Sequence, residues 1–407
     1  MNIFHRYIIR EHIAPFFYAF FVIMFVLILK TLLKLMEVVI EKDVDILTMA
    51  KLLWYNLAWM IALVVPMSVL VATVMAYGRM AAAGEIVAMK AAGISMLRLS
   101  SPIIGLSIIA TIFMIWFNNV VLPESNQRTR DIHVSFLLKK PMLSLKNHEG
   151  QFYNEMQNIT IRVDSLDYVT EEMYGITLFK SNPGKGRNKP PSRTAIRASS
   201  GHFEPDRGNN RLTVVLENGE IHQIDETASS RYVRGKFRKF NYNFDFTFDT
   251  SGAKAATRND RSKTSAMMRT EIAAIQDDND YIQNRIDNLS ETSPGGVLRN
   301  RRYERDIKNN NKKIAKYLIE IHKKNSIPFA AIIFVLVGAP LGILVRRSGA
   351  SIGISLSIGF FMIYYLFLIG GEKAGDRMLV DPWLAMWAPN FFLAPVGILL
   401  FIYATRR

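Results

Sequence analysis

Lys30 and Lys34 lie one helical turn apart within an otherwise apolar stretch, so both ammonium groups leave the same helix face near its end. Two readings suit them. Lysines close to the end of a membrane span reach the interface on their flexible stems. Two on one face, followed at once by Glu37 and Glu41, also suit phosphate held at outer-leaflet depth, which lysine serves as a movable point charge. A second candidate is Glu85, the single acid in the loop RMAAAGEIVAMKAAGISMLRL between Arg79 and Leu99. This loop reads as a short alanine-rich helix broken at Gly93, whose small residues admit close approach by another protein. A carboxylate there suits anchoring a partner's arginine, or is simply a solvated charge.

Other chemistries are missing from the chain. It has no cysteine, which excludes disulfides, thiolate metal sites and cysteine nucleophiles. No GxxxxGK[ST] phosphate loop, no HExxH and no Ser/His/Asp grouping occurs, so no catalytic residue, metal site or cofactor is expected. ATP hydrolysis by the P-loop route and intramembrane hydrolysis are excluded with them.

These residues sit among six segments apolar enough to span a bilayer, which needs about 20 residues each. They run Ala14–Met36, Leu53–Tyr77, Leu99–Leu122, Ile327–Val345, Ala350–Ile369 and Trp383–Tyr403. The first is too long for a signal-peptide core, contains Lys30 and Lys34, and lacks a small-residue cleavage site, so it reads as a retained span. Spans two to six hold no Asp, Glu, His, Lys or Arg in their interiors, whereas ion-coupled pumps place such groups there. A secondary transporter is disfavoured, and any work done must draw on an outside energy source.

Arg6, Arg10, Arg79, Lys90, Arg98, Arg346, Arg347, Arg406 and Arg407 all fall in alternate short segments, which puts both termini in the cytoplasm. Trp383 and Trp387 then start the last span at the outer interface. The same alternation places the stretch from Pro123 to Ser326 outside. Of the net charge of +15 (50 Lys and Arg against 35 Asp and Glu), roughly nine surplus charges lie in that stretch. Outside the cytoplasm a basic domain meets no nucleic acid; lipid headgroups or a protein are the acidic partners left.

Within the outer stretch, period-two alternation runs from about Gly150 to Asp249. Ile159, Ile161 and Val163 form one stripe, and Phe240, Tyr242, Phe244, Phe246 and Phe248 another. Asn218-Gly219 between Leu212–Leu216 and Glu220–Ile224 predicts a type I′ hairpin turn, and Asn182–Pro191 a loop. A β-sandwich or jelly roll follows, its aromatic stripe serving as ordinary core or as a groove for acyl chains. Heptad spacing then appears at Ile272, Ile275, Asn279, Ile282, Ile286 and Leu289. It resumes at Tyr303, Ile307, Asn310, Ile314, Tyr317 and Ile321. The pattern predicts an antiparallel helical hairpin closed by Pro294-Gly295-Gly296, its second arm running into span four, acting as a stalk or a docking element.

The expected fold is an α-helical polytopic membrane protein with an extracytoplasmic all-β jelly roll and a helical hairpin insertion. Its domains are residues 1–122 (three spans), 123–264 (jelly roll), 265–326 (hairpin) and 327–407 (three spans).

Several stretches, in order, carry a likeness. RYIIRE (Arg6–Glu11), Pro66, GEIVAMKAAGIS (Gly84–Ser95), FNNVVLPESN (Phe117–Asn126), IEIHKKNSIPFAAIIFVLVGAPLGI (Ile319–Ile343), RRSGASIGISLSI (Arg346–Ile358) and WLAMWAPN (Trp383–Asn390) together resemble the lipopolysaccharide-export permease family LptF/LptG (YjgP/YjgQ). TAIRASSGHFE (Thr194–Glu204) and LTVVLENGE (Leu212–Glu220) resemble its jelly-roll strands more loosely, and the hairpin at about Met267–Lys324 is longer than the family's short connection.

The resemblance implies a non-catalytic permease subunit of an ABC transporter in the bacterial inner membrane, with its large domain in the periplasm. It would extract lipopolysaccharide from the outer leaflet and pass it to a periplasmic jelly-roll bridge. Implied partners are a second permease of the family (a heterodimer, or a homodimer), a cytoplasmic LptB-like ATPase pair that uses the ATP, and a single-span LptC-like jelly-roll protein. It also implies that Glu85 falls in the coupling helix, about residues 79–98, seated in the ATPase groove. Lys30 and Lys34 would fall on the basic face of span one that meets lipid A and core phosphates. Alternatives are an envelope scaffold or receptor without transport, and an ABC permease for another lipid or lipoprotein.

Overall fold

The computed structural model of the chain describes residues 3–42, 46–139, 145, 148–153, 159–167, 170–182, 192–206, 211–225, 231–244, 258–287, 294–345 and 349–406. Six helices are long and apolar enough to cross a membrane, over Ile3–Met36, Ile46–Ala82, Met96–Ile132, Asn300–Leu344, Ile352–Asp376 and Pro382–Thr405. They cover the six apolar segments of the sequence except for Val345, Ala350 and Ser351 at two segment ends. Each belongs to a longer or equal helix: α1 (Ile3–Lys42), α2 (Ile46–Ala82), α4 (Met96–Lys139), α6 (Pro294–Leu344), α7 (Gly349–Asp376) and α8 (Pro382–Arg406), with the short α3 (Glu85–Ala91) between α2 and α4.

The spans α2 and α6 form the centre of this bundle, and α1 packs at its edge. Apolar solvent offers helices no hydrophobic drive to associate, so close backbone approach and polar contacts carry the packing. Both are present. Gly78 of α2 and Gly342 of α6 face one another, a Cβ on Gly342 falling 2.6 Å from Val74 O. Proline satisfaction supplies the polar contacts. Pro328 has no N–H for the carbonyl of Lys324 four residues earlier, and the buried Asn118 amide of α4 donates to that carbonyl at 3.2 Å. Thr111 donates to Pro328 O at 3.1 Å, while Asn390 and Tyr364 donate to Ser326 O at 3.0 and 3.3 Å. The carbonyl freed by the proline is thereby satisfied by α4, and α4, α7 and α8 all bond the backbone of this turn of α6.

Between α4 and α6 lies a seven-stranded antiparallel sheet. Its strands are β1 (Phe152–Tyr153), β2 (Ile159–Arg162), β3 (Ser165–Asp167), β4 (Glu172–Asn182), β5 (Ser192–Asp206), β6 (Arg211–Asp225) and β7 (Arg231–Phe244). The order is β1-β2-β4-β5-β6-β7, with β3 also paired to β4. The buried core includes Ile161, Val163, Ile176, Leu178, Ile196, Val214 and Leu216, so the alternation at Ile159–Val163 does face inward. Phe246 and Phe248, and most of Asn182–Pro191, lie outside the described residues.

The Asn218-Gly219 dipeptide is not a hairpin turn. Strand β6 runs straight through it, pairing with β5 on one side and β7 on the other. Asn218 takes a left-handed conformation with φ 50°, which bends the strand without ending it. Gly219 has no room for a side chain, because Arg197 O and the Phe237 ring occupy the Cβ position. The ring covers the half-buried glycine backbone across the strands. Gly219→Val is therefore expected to destabilise the sheet by about 1–3 kcal/mol, read by hydrogen exchange as faster opening of β6 and β7. Unchanged protection of both strands would refute this account of the bend.

Beyond the sheet, α5 (Ser265–Asp287) packs on the first half of α6 through Met268, Ile272, Tyr317 and Ile321. The two polar heptad positions meet: Asn310 Nδ2 donates to Asn279 Oδ1 at 2.8 Å, and Asn279 Nδ2 to Asn311 Oδ1 at 2.9 Å. Pro294-Gly295-Gly296 does not close this hairpin from outside the helices; α6 begins at Pro294, the first-turn position where a missing N–H costs nothing. At its base Lys263 Nζ donates to Glu271 Oε2 (2.7 Å) and to Tyr317 Oη (2.9 Å), and Tyr317 Oη donates to the same carboxylate at 2.6 Å. Burial pushes the Glu271 carboxyl up, but these hydrogen bonds outweigh it and hold the group below the usual range. Lys324 Nζ donates to Lys263 O, which fastens the hairpin base to the top of span four.

Candidate functional site

Helix α3 is short and bracketed by glycines in the left-handed region, Gly84 at φ 78° and Gly93 at φ 81°, conformations that glycine adopts without a Cβ penalty. Ile86 anchors it from behind, buried among Ile8, Tyr77, Met80 and Leu99. Lys90 Nζ donates to Ala404 O at 2.7 Å, capping the last turn of α8. With its back held, α3 leaves Val87, Ala88 and Ala91 exposed as a shallow face of small side chains. Glu85 stands half-buried at the start of this face.

Its carboxylate is not free. Tyr7 Oη, from the first turns of α1, donates to Glu85 Oε2 at 2.7 Å. One turn further along α1, Glu11 pairs with Arg79 at the end of α2, and Arg79 also donates to Glu11 O at 3.1 Å. His12 lies buried against Tyr77, ring centroids 4.9 Å apart, and its Nδ1 sits 2.8 Å from Ile8 O. Two side-chain contacts thus tie the beginning of α1 to α3 and to the end of α2. Tyr7, Glu11 and Arg79 are not marked as site residues by the sequence, where Arg79 counts only toward topology. RYIIRE sets Tyr7 and Glu11 four residues apart on one face, but nothing in it points to Glu85 or Arg79.

Lys30 and Lys34 occupy the other end of α1. Both are exposed, and neither forms an ion pair with another described residue. One side of α1 packs on α2 through Met24, Leu27 and Ile28 against Leu57, Met60, Ile61 and Val64. The other side carries the two lysines with Val22, Val26, Leu29 and Leu33, all uncovered. Twenty-three residues separate Tyr7 from Lys30, about 35 Å along a helix rising 1.5 Å per residue. The structure does not gather Glu85, Lys30 and Lys34 into one pocket. It puts them near opposite ends of α1.

In the sheet, the aromatic stripe divides by burial. Phe237, Phe240 and Tyr242 are half-buried against the core, with part of each ring accessible, and Lys180 Nζ stands 5.1 Å from the Tyr242 ring centroid. That arrangement is compatible with core and with an apolar groove alike. Among the described residues no group of three or more His, Cys, Asp or Glu is disposed to hold a metal ion.

A protein-family model described as "Lipopolysaccharide export system permease LptF/LptG" matches residues 6–403. No curated protein matches the chain.

Proposed function

Because the chain belongs to the lipopolysaccharide export system permease LptF/LptG family, we propose that it is the transmembrane permease subunit of an ABC transporter. In this reading it extracts lipopolysaccharide from the outer leaflet of the bacterial inner membrane and passes it to a periplasmic jelly-roll bridge. A second permease of the family completes the cavity, a cytoplasmic LptB-like ATPase pair supplies the energy, and a single-span LptC-like protein receives the lipid.

The observation that carries this reading is α1 itself. It bears two exposed lysines on an uncovered apolar face at one end, and at the other it is tied to Glu85 on the small-residue face of α3. Bringing an acyl chain out of a bilayer costs about 0.8 kcal/mol for each CH₂ exposed. A continuous apolar path and an external engine are thus physical requirements. The lysines hold phosphate groups of the lipid by charge-assisted hydrogen bonds, while Leu29 and Leu33 beside them meet its acyl chains. Displacement of α3 by the ATPase reaches α1 through Tyr7–Glu85 and Glu11–Arg79, so the gate helix moves with the engine.

The test places a photoreactive residue at Leu33, which is 61% exposed beside both lysines. Wild-type protein is expected to crosslink lipopolysaccharide there. Lys30→Glu with Lys34→Glu should reduce that crosslink about tenfold or more, since two attractive contacts become repulsive. Equal crosslinking would return both lysines to interfacial snorkelling.

A further inference from the structure

The first half of α6 carries a feature that the lever on α1 does not use. Arg301, Arg305, Lys308, Lys312 and Lys316 follow one another in steps of four, three, four and four. At 100° per residue these steps keep all five within about 80° of one another around the helix. All five are exposed, and none forms an ion pair with another described residue. The seam that faces α5 runs through Tyr303, Ile307, Asn310, Ile314 and Tyr317, about half a turn away. The acids of α5 therefore point elsewhere; Glu304 flanks the stripe, Glu320 one turn beyond Lys316 is engaged by Arg261 and Lys323, and Asp306, half-buried toward the seam, lies in the field of Arg302 and Arg305 without closing an ion pair. The result is an unpartnered cationic face about 22 Å long.

Its height above the membrane narrows the occupant. Helix α6 is continuous from Pro294 to Leu344, so the arm leaves the bilayer as the extension of its own span. Counting from Ile327, Lys316 stands about 16 Å and Arg301 about 39 Å along the helix. Headgroups extend only about 5–8 Å beyond the hydrocarbon, so at tilts up to about 40° the four cations from Arg301 to Lys312 stay out of reach of bilayer phosphates. A protein partner fits the composition poorly. Interface cores are depleted in lysine and rich in aromatic residues, whereas three of the five cations are lysine and no large apolar side chain from Arg301 to Pro328 is exposed.

We propose that this stripe binds the phosphorylated saccharide headgroup of the exported glycolipid as it rises off the membrane. The proposal rests on the permease reading. Several phosphates spaced along a sugar chain complement several cations spaced along a helix, and the multiple weak contacts release stepwise rather than trapping the cargo.

The test uses the full chain, assembled with its partners, carrying a photoreactive residue at the exposed Asn309 beside the stripe or at Leu33 on α1. Lipopolysaccharide with intact phosphates is the probe. Neutralising the stripe (Arg301→Gln, Arg305→Gln, Lys308→Gln, Lys312→Gln, Lys316→Gln) retains helix propensity. It should lower the Asn309 crosslink about tenfold and leave the Leu33 crosslink intact; phosphatase-treated lipopolysaccharide should mimic this at Asn309. Crosslinking at Leu33 with none at Asn309, or an Asn309 signal indifferent to neutralisation, overturns the proposal while sparing the permease reading. Asn309 adducts with a protein or a glycerophospholipid overturn it equally. Wild-type protein that captures lipopolysaccharide at neither position overturns both.

Discussion

Glu85→Arg is expected to abolish both copurification of the cytoplasmic ATPase and release of lipopolysaccharide from membranes containing the full set of partners. Helix α3 is held by contacts that do not involve Glu85. Ile86 behind it and Lys90 on Ala404 O fix the helix against the bundle, so the substitution leaves the scaffold standing and changes the sign of charge at one position. Glu85 Oε2 is engaged by Tyr7, and its remaining lone pairs can accept a partner arginine. Truncating one member of a hydrogen-bonded charge pair at an interface costs about 2–5 kcal/mol, and a like charge adds repulsion. Tyr7→Phe separates anchoring from transmission. It removes only the hydroxyl that joins α1 to Glu85, so the ATPase should remain bound while lipid release slows severalfold. ATPase recovery and lipid release that both stay at the wild-type level in Glu85→Arg would remove the coupling assignment. Full release by Tyr7→Phe would show that α1 receives its displacement by another route.

How far the sequence anticipates this arrangement depends on the range over which each signal acts. Apolar runs of span length specify six helices because lipid leaves the backbone no other way to satisfy its polar groups. The heptads of the hairpin are legible for a similar reason, down to the facing of Asn279 and Asn310. Asn218-Gly219 misleads because its local preference for positive φ suits a hairpin turn and a strand bend equally. The choice is made by Arg197 and Phe237, about 20 residues away in either direction. Pro294 likewise suits a turn or a helix start, and only the helix that follows decides. The Tyr7–Glu85 contact spans 78 positions and Asn118–Lys324 spans 206, distances at which spacing carries no information. Lys30 and Lys34 were legible as a pair on one face, but their separation from Glu85 by the length of α1 required the helix to be seen as one continuous rod.

Gly342→Ala should destabilise the membrane bundle, whereas Gly78→Ala in the facing helix should not. Alanine is the better helix former by about 1 kcal/mol, so both changes would stabilise if propensity decided. Space decides instead. A Cβ at Gly342 would sit 2.6 Å from Val74 O, 2.9 Å from Gly78 N and 3.0 Å from Tyr77 Cβ; the first two are backbone atoms, which cannot swing aside. A Cβ at Gly78 meets nothing nearer than Gly342 O at 3.4 Å, an ordinary contact. Overpacking of this kind costs about 1–3 kcal/mol, and Gly342→Leu should exceed it and prevent stable purification. The displacement also propagates. Tyr77 is fully buried, donates to Leu99 O at 3.2 Å and stacks edge-on with His12 of α1, so moving α2 at this point disturbs the seat of α1 and the Glu11–Arg79 pair two positions later. Thermal unfolding of the detergent-solubilised chain should therefore drop for Gly342→Ala and hold or rise for Gly78→Ala. Equal shifts in the two variants would mean that the helices separate freely here, and that the close α2–α6 contact does not bear on the position of α1.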